Sequence, residues 1–417
     1  METHVTATSE HPVEPEAEQP RSAGLVGAVV VLALLGWLAA VNVMMLWVVL
    51  VIAFVVFMHE LGHFLTARWT GMKATEFFLG FGPRIFSFRR GETEFGLKPI
   101  LLGAYVKIIG MHNLDDVEGE DESKTYRQKS FPRRVLVASA GSLMHFAMAF
   151  IGLVMLFSVF GEADGAWTVR EAPATFSDGA RAPAGAAGVQ AGDRILSVDG
   201  EDAFLWGDFV TAVRGSAGEQ VQVLLERDGE ELTIPVTIAE SPESGEGRIG
   251  ISAQDASNYE TYGLLGSISK AFDRFFEMMW QSLAGIWQIF SNVGELIDRV
   301  ISPPNDPSAN ENLETRPLSL VGAVQIGASD DFNGSERLLL FIGFNMFIGV
   351  FNLLPLLPLD GGHIAIATYE RVREGRSGRR HMIDIARLMP ITYAVVMFLI
   401  FFGLGAIYLD IANPINF

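Results

Sequence analysis

Four long apolar runs constrain this chain more than anything else in it: Ala23 to Met58, Val135 to Phe160, Leu338 to Leu357 and Met389 to Leu409. A membrane-spanning helix takes about 20 predominantly apolar residues, so the last three runs read as single spans and the first is too long for one. It softens at Ala40 to Asn42, which predicts two helices, near Gly24 to Val41 and Met44 to Ala67. That makes five spans, or four if the first helix only lies in the interface. Lipid offers the backbone no hydrogen bonds, so such runs fold as a helical bundle. At 417 residues, 49 % of them apolar, the chain has room for that bundle and one soluble module.

The formal charge of -19 argues against a nucleic-acid partner, which would need clustered Lys and Arg. There is no cysteine, so disulfides and thiolate metal ligands are excluded, and any metal must sit on nitrogen and oxygen. Residues 1–22 are rich in Pro and Glu with little to bury, and read as a disordered acidic tail. The tail precedes the apolar run and lacks a basic start, which argues against a cleaved signal peptide.

Lys and Arg near span ends set orientation. They crowd the segment between Arg68 and Arg134 and again between Arg371 and Arg380, so both segments are expected on the cytoplasmic side. The acidic region from Gly161 to about Arg337 then lies outside. Within it, Ala186-Ala187-Gly188-Val189, Gly192-Asp193-Arg194-Ile195-Leu196 and Val198-Asp199-Gly200, followed by a hairpin about Asp228-Gly229, resemble a PDZ domain over residues 165–252. That fold implies an extended peptide or C-terminal ligand added to a sheet edge; the alternative is a steric filter or spacer. Residues 262–316 read as amphipathic helices, with apolar residues at steps of three and four from Phe272 to Val300, and a linker. These helices would lie on the outer membrane face or pack on the spans.

The stretch Val55 to Trp69 puts His59-Glu60-Leu61-Gly62-His63 inside the second span. Two histidines four apart share one helix face and reach one Zn²⁺, with the glutamate beside them as a base. An ionisable group at mid-bilayer costs about 2.5–3.5 kcal/mol on the lenient scale, so three polar groups along one turn demand a compensating partner, and a bound cation supplies it. A catalytic zinc wants a third protein ligand. Glu76, Glu92 and Glu94 lie in a Gly- and Phe-rich segment that does not continue the helix, and are poor candidates. Asp360 is better: it follows the span Leu338 to Leu357, where Pro355 and Pro358 break the helix, and the charge rule brings it to the same depth as His63. Its other reading is a turn residue of Asp-Gly-Gly. His363 is a rival ligand or a hydrogen-bonding interface residue.

With such a metal, Glu60 is the expected base for peptide hydrolysis. A helical substrate hides its carbonyls and must unwind. Residues 77–108 read as short strands about Arg90-Gly91-Glu92, a membrane-associated hairpin whose edge could hold the opened strand or simply cover the bundle. Asn352 and Pro355, at the broken helix, are candidate substrate-binding residues; Asn352 could equally join helices.

These features, with Gly80-Phe81-Gly82-Pro83, Leu102-Gly103-Ala104-Tyr105-Val106, Pro317-Leu318-Ser319-Leu320-Val321-Gly322, Asn352-Leu353-Leu354-Pro355 and Leu359-Asp360-Gly361-Gly362, resemble the site-2 protease family of intramembrane zinc metalloproteases, in its bacterial PDZ-containing branch. The resemblance implies zinc on His59, His63 and Asp360, Glu60 as base, and Asn352 in substrate binding. It implies a cell-membrane enzyme with its active site near the cytoplasmic face. Its substrates would be single-pass membrane proteins of the anti-sigma-factor type, already cut once outside, or remnant signal peptides. The expected architecture is a mainly α membrane bundle, split into residues 23–160 and 317–417, with the membrane-associated β-hairpin and an extracytoplasmic α+β PDZ domain. Two features depart from the family pattern. Gly141-Ser142-Leu143-Met144-His145 stands where Gly-Pro-x-x-Asn is usual, and the span before Met44 is extra. A protease acting on prenylated proteins, with a later glutamate as third ligand, and a membrane PDZ adaptor or metal-handling protein with a vestigial site are the rival readings.

Overall fold

The computed structural model describes residues 21–111, 117, 119–163, 166–176, 179–242, 245–256, 259–292, 294, 319–329, 332–378 and 381–412. The acidic tail up to residue 20 and the linker at 302–316 fall outside them. Two compact units emerge, one spanning Val154–Ala271 and the other drawn from the chain on either side.

The first helices are α1 (Arg21–Val41) and α2 (Val43–Trp69). The soft point in the long apolar run is a true break, because the Asn42 side chain accepts from Met45 N–H at 3.0 Å and caps α2. Strands β1 (Ala74–Phe81), β2 (Phe86–Arg90), β3 (Thr93–Leu97) and β4 (Ile100–Ile108) follow, and then α3 (Phe131–Met155), prolonged by one π turn at Leu156–Phe160. The expected hairpin is present as β2–β3, with Arg90 opposite Thr93, but it is half of a four-stranded sheet ordered β2-β3-β1-β4. β1 pairs with β3 in parallel and with β4 antiparallel, so β4 is an edge. A lone hairpin is marginal, and Phe95 of β3 requires cover. It finds it among Phe64 and Phe77, whose rings lie 5.3 and 5.8 Å away. α1 leans on this sheet's connections through glycine: a Cβ on Gly24 would meet the Arg84 carbonyl at 2.7 Å.

The second unit is an α+β module with strands β5 (Trp167–Glu171), β6 (Arg194–Val198), β7 (Glu201–Asp202), β8 (Gln220–Arg227), β9 (Glu230–Thr237) and β10 (Ser252–Asp255), and helices α4 (Pro183–Ala187) and α5 (Trp206–Gly215). Its main sheet runs β9-β8-β6-β7, and β5 pairs with β10. The β8–β9 hairpin turns at Asp228–Gly229, both with positive φ, which Asp tolerates and Gly favours. Ile195, Leu225, Val223 and Phe209 form its core, with the Trp167 ring 4.9 Å from Phe209. Asp193, almost fully buried, accepts two bonds from the Arg227 guanidinium at 2.7 Å and one from Gln190 N–H at 2.8 Å. That pairing holds Arg227 more firmly protonated than usual and ties the hairpin to the turn before β6.

Beyond it come α6 (Leu264–Ser291), α7 (Leu320–Ala328), α8 (Gly334–Asn352), α9 (Asp360–Ser377) and α10 (Met389–Ala412). The amphipathic segment is one helix through Ser291, and its expected continuation to Ile301 lies outside the described residues. Phe275 packs edge-on against Phe146 and Phe150 of α3, while Phe272, Trp280 and Trp287 stay exposed. Among the described residues, five helices are long and apolar enough to cross a membrane: Gly24–Val41, Val43–Trp69, Phe131–Phe160, Gly334–Asn352 and Ala386–Tyr408. The fourth ends earlier than its apolar run suggests. α8 starts on a capping box of Asn333 and Glu336 and stops at Asn352, leaving Leu353 to Leu359 as a non-helical connection.

The buried aromatic core of the α+β module makes its stability testable. Phe209→Ala removes a ring from a packed cluster and should destabilise that unit by about 3–5 kcal/mol, read by pulse proteolysis of the full chain in urea.

Candidate active site

His59, Glu60 and His63 belong to the C-terminal half of α2, and their surroundings come from three other elements. α3 crosses α2 at glycine. A Cβ on Gly62 would meet the Ala140 carbonyl at 2.6 Å, and one on Gly141 would meet the His59 ring at 2.3 Å and His63 Nε2 at 2.5 Å. Only hydrogen fits at these two positions, so the helices touch and the imidazoles fill the seam.

His63 is buried, and its Nδ1–H donates to the Val137 carbonyl at 2.7 Å. With that nitrogen committed, the lone pair is on Nε2. His63 Nε2 lies 3.2 Å from His59 Nε2 and 3.4 Å from Asp360 Oδ1, and His59 Nε2 lies 3.7 Å from Asp360 Oδ2. Among the described residues these three side chains form the group of His, Asp and Glu able to hold a metal ion, their donor atoms lying within 4.8 Å of one another. Two ligands each about 2.1 Å from a tetrahedral zinc lie about 3.4 Å apart, so the spacing fits that ion. Asp360 Oδ2 is buried without a hydrogen bond, a costly state for a carboxylate oxygen that a cation would relieve.

Asp360 is the first residue of α9, delivered by the connection after α8. The two glycines behind it are packing requirements. A Cβ on Gly361 would lie 2.2 Å from the Leu353 and Leu354 carbonyls, and one on Gly362 would lie 2.7 Å from Leu357 N. Farther along α9, Glu370 pairs with Arg134 of α3 in a buried ion pair, and its other oxygen accepts from Ile383 N–H at 2.9 Å. The helix that begins at Asp360 is thereby tied to the helix that touches both histidines. Removing either charge would strand the other away from water.

Glu60 points the other way, toward the sheet. Its Oε2 accepts from Val106 N–H of β4 at 3.0 Å. Because that N–H serves Glu60 rather than β1, it lies on the open edge of the sheet. Sequence reasoning gave no sign of this contact, nor of Val137, since main-chain partners leave no mark in side-chain identity.

The remaining sequence candidates fall in several places. Asn352 ends α8, half-buried, and its amide makes no hydrogen bond among the described residues. Pro355 is exposed and borders a cavity of about 840 Å³ between α9 and the start of α10. His363 is buried beside the Tyr126 ring, outside the three-donor group. Glu76 accepts from the Tyr105 hydroxyl at 2.6 Å, Glu92 pairs with Lys124 and Glu94 with Arg84, so all three acids are engaged on the sheet. Burial and that Glu76 contact hold the Tyr105 hydroxyl above its usual range. His145 of α3 lies with its ring centroid 5.1 Å from that of His59.

The seam gives a sharp expectation. Gly141→Ala drives a methyl into both imidazoles and should abolish metal retention and activity, whereas Ser142→Ala, next door, removes a buried hydroxyl without a hydrogen bond among the described residues and should leave both intact. Metal analysis of the two purified variants checks this.

The profile of peptidase family M50 matches residues 47–399. Zinc metalloprotease Rip1 of Mycobacterium tuberculosis is 29 % identical over 396 residues, covering 86 % of this chain and 95 % of its own length. Zinc metalloprotease Rip1 of Mycolicibacterium smegmatis is 31 % identical over 404 residues with the same coverage. α1 precedes the matched segment. With the helical bundle, the three-donor group and these similarities together, the chain belongs to peptidase family M50, the site-2 protease family, and is a multi-span membrane zinc metalloprotease.

Proposed function

We propose that this protease hydrolyses peptide bonds within or near the transmembrane segment of single-pass membrane proteins, using His59, His63 and Asp360 as zinc ligands and Glu60 as the base. One observation carries the reading: a carboxylate from beyond a separate span comes within 3.4 and 3.7 Å of two histidines on a helix long and apolar enough to cross the bilayer. When bound, zinc supplies Lewis acidity to the attacking water and the substrate carbonyl. Glu60 takes a proton from the water and passes it to the leaving amine.

A substrate helix must open before its carbonyls are reachable. The edge strand β4 supports a role in holding the opened chain, because its unpaired side faces Glu60 and pairs by main-chain bonds that ignore substrate sequence. Asn352, with a free amide at the end of α8, is suited to bind substrate backbone next to the metal-ligand segment, and Pro355 ends the helix there.

The Lys and Arg distribution supports an active site near the cytoplasmic face and an α+β module on the other side of the membrane. We read that module as a PDZ domain on its sequence string and its β-hairpin. It would take a peptide end, or exclude substrates that still carry a large outer domain. The class of substrate is then an anti-sigma-type protein trimmed after a first extracytoplasmic cut, or a remnant signal peptide.

Glu60→Gln should retain zinc while turnover on a transmembrane peptide falls by about 10²- to 10⁴-fold; wild-type turnover would remove Glu60 as base. Asp360→Asn should lower the zinc content of the purified chain, and an unchanged content would remove the third ligand. Membrane proteomics of cells carrying Glu60→Gln should show single-pass stubs accumulating, and accumulation of intact soluble proteins instead would overturn the substrate class.

A further inference from the structure

His145 is one of the least accessible polar residues in the bundle, 2 % exposed. Its partner Asn345, on α8, is 0 % exposed. The Asn345 amide is oriented by its own helix: Nδ2 donates to the Phe341 carbonyl at 2.8 Å. Its Oδ1 therefore faces His145 Nδ1 at 3.0 Å and can only accept. His145 must donate from Nδ1, which leaves the neutral ring with a bare, accepting Nε2. No hydrogen bond to Nε2 exists among the described residues.

His59 poses the complementary problem. Its Nε2 is turned to His63 and Asp360, so the ring hydrogen belongs on Nδ1. Among the described residues that buried Nδ1 makes no hydrogen bond of ordinary geometry, and the Gly141 main chain offers it only a poorly formed one. Metal-binding histidines almost always donate their second N–H to an acceptor, as His63 does to Val137. Among the described residues His59 has no acceptor so well placed. Beside the His63 ring at 4.8 Å, His59 meets the ring of His145, centroid to centroid 5.1 Å and tilted by 49°. Two imidazoles joined by one N–H···N bond of ordinary length sit about 5 Å apart by centroid. The centroid separation suits such a bond, which is not formed in this structure and requires the rings to reorient.

We infer that His145 is a positioning residue that completes the outer shell of the zinc site. Asn345 sets the tautomer of His145, and His145 Nε2 accepts the Nδ1–H of His59, holding the His59 imidazole toward the metal. The inference rests on the proposed role of His59 as a ligand.

The test is zinc affinity of the full-length chain in detergent, measured by chelator competition, with the histidine count at the metal from X-ray absorption. His145→Phe keeps a ring and removes the acceptor, and should weaken zinc by about 10- to 100-fold with two histidines still bound. His145→Asn keeps a polar group facing Asn345 but stops short of His59, and should weaken it similarly. His145→Gln, long enough to present an acceptor, should restore most of the loss, and Asn345→Leu should show part of it. Wild-type affinity in both His145→Phe and His145→Asn overturns the inference, as does loss of a histidine from the metal's first shell, which would make His145 a direct ligand. If the wild-type chain binds no zinc at all, the reading of the three-donor site fails instead.

Discussion

The contact between α2 and α3 at Gly62 and Gly141 is the constraint on which the rest of the bundle depends. Without side chains there, the two helices approach until a main-chain carbonyl nearly meets Gly62 and the imidazoles fill the remaining space. Lipid supplies no hydrophobic drive for helices to associate, so closeness has to come from small residues and polar contacts. Both are present. Val137 takes the hydrogen of His63, and one turn beyond Gly141, His145 bonds Asn345 of α8. α3 is thus the element against which the histidines and the later span are both measured.

Delivery of the carboxylate is a second, separable arrangement. Asp360 is held from behind by glycines pressed on the Leu353 and Leu354 carbonyls, and from farther along its helix by Glu370 on Arg134. The ion pair is buried. Its worth as stability is small by general experience, and its worth as a register between two elements is larger. It joins α9 to the same α3 that carries Gly141.

Much of this was legible in the sequence because lipid makes polarity expensive. The five spans, the helix break at Asn42 and the pairing of a distant Asp with two histidines all follow from where charge and amide groups interrupt apolar runs. What escaped has a common cause. The sheet joins β1 to β3 in parallel, a long-range pairing that alternation of residue types does not encode, so a hairpin was expected and four strands were found. The early end of α8 at Asn352 was masked by apolar residues in the following connection, which reads as span until the packing of Gly361 and Gly362 is seen. The partners of Glu60 and His63 are main-chain groups, invisible to any residue-type argument.

The bond from Val106 to Glu60 has a meaning for timing. The donor that serves the carboxylate lies on the open side of β4, where an added strand would call on the same N–H. On the proposed reading of Glu60 as base and β4 as the partner of an opened substrate, a chain that took this donor would free the carboxylate, so that docking and arming would be one event.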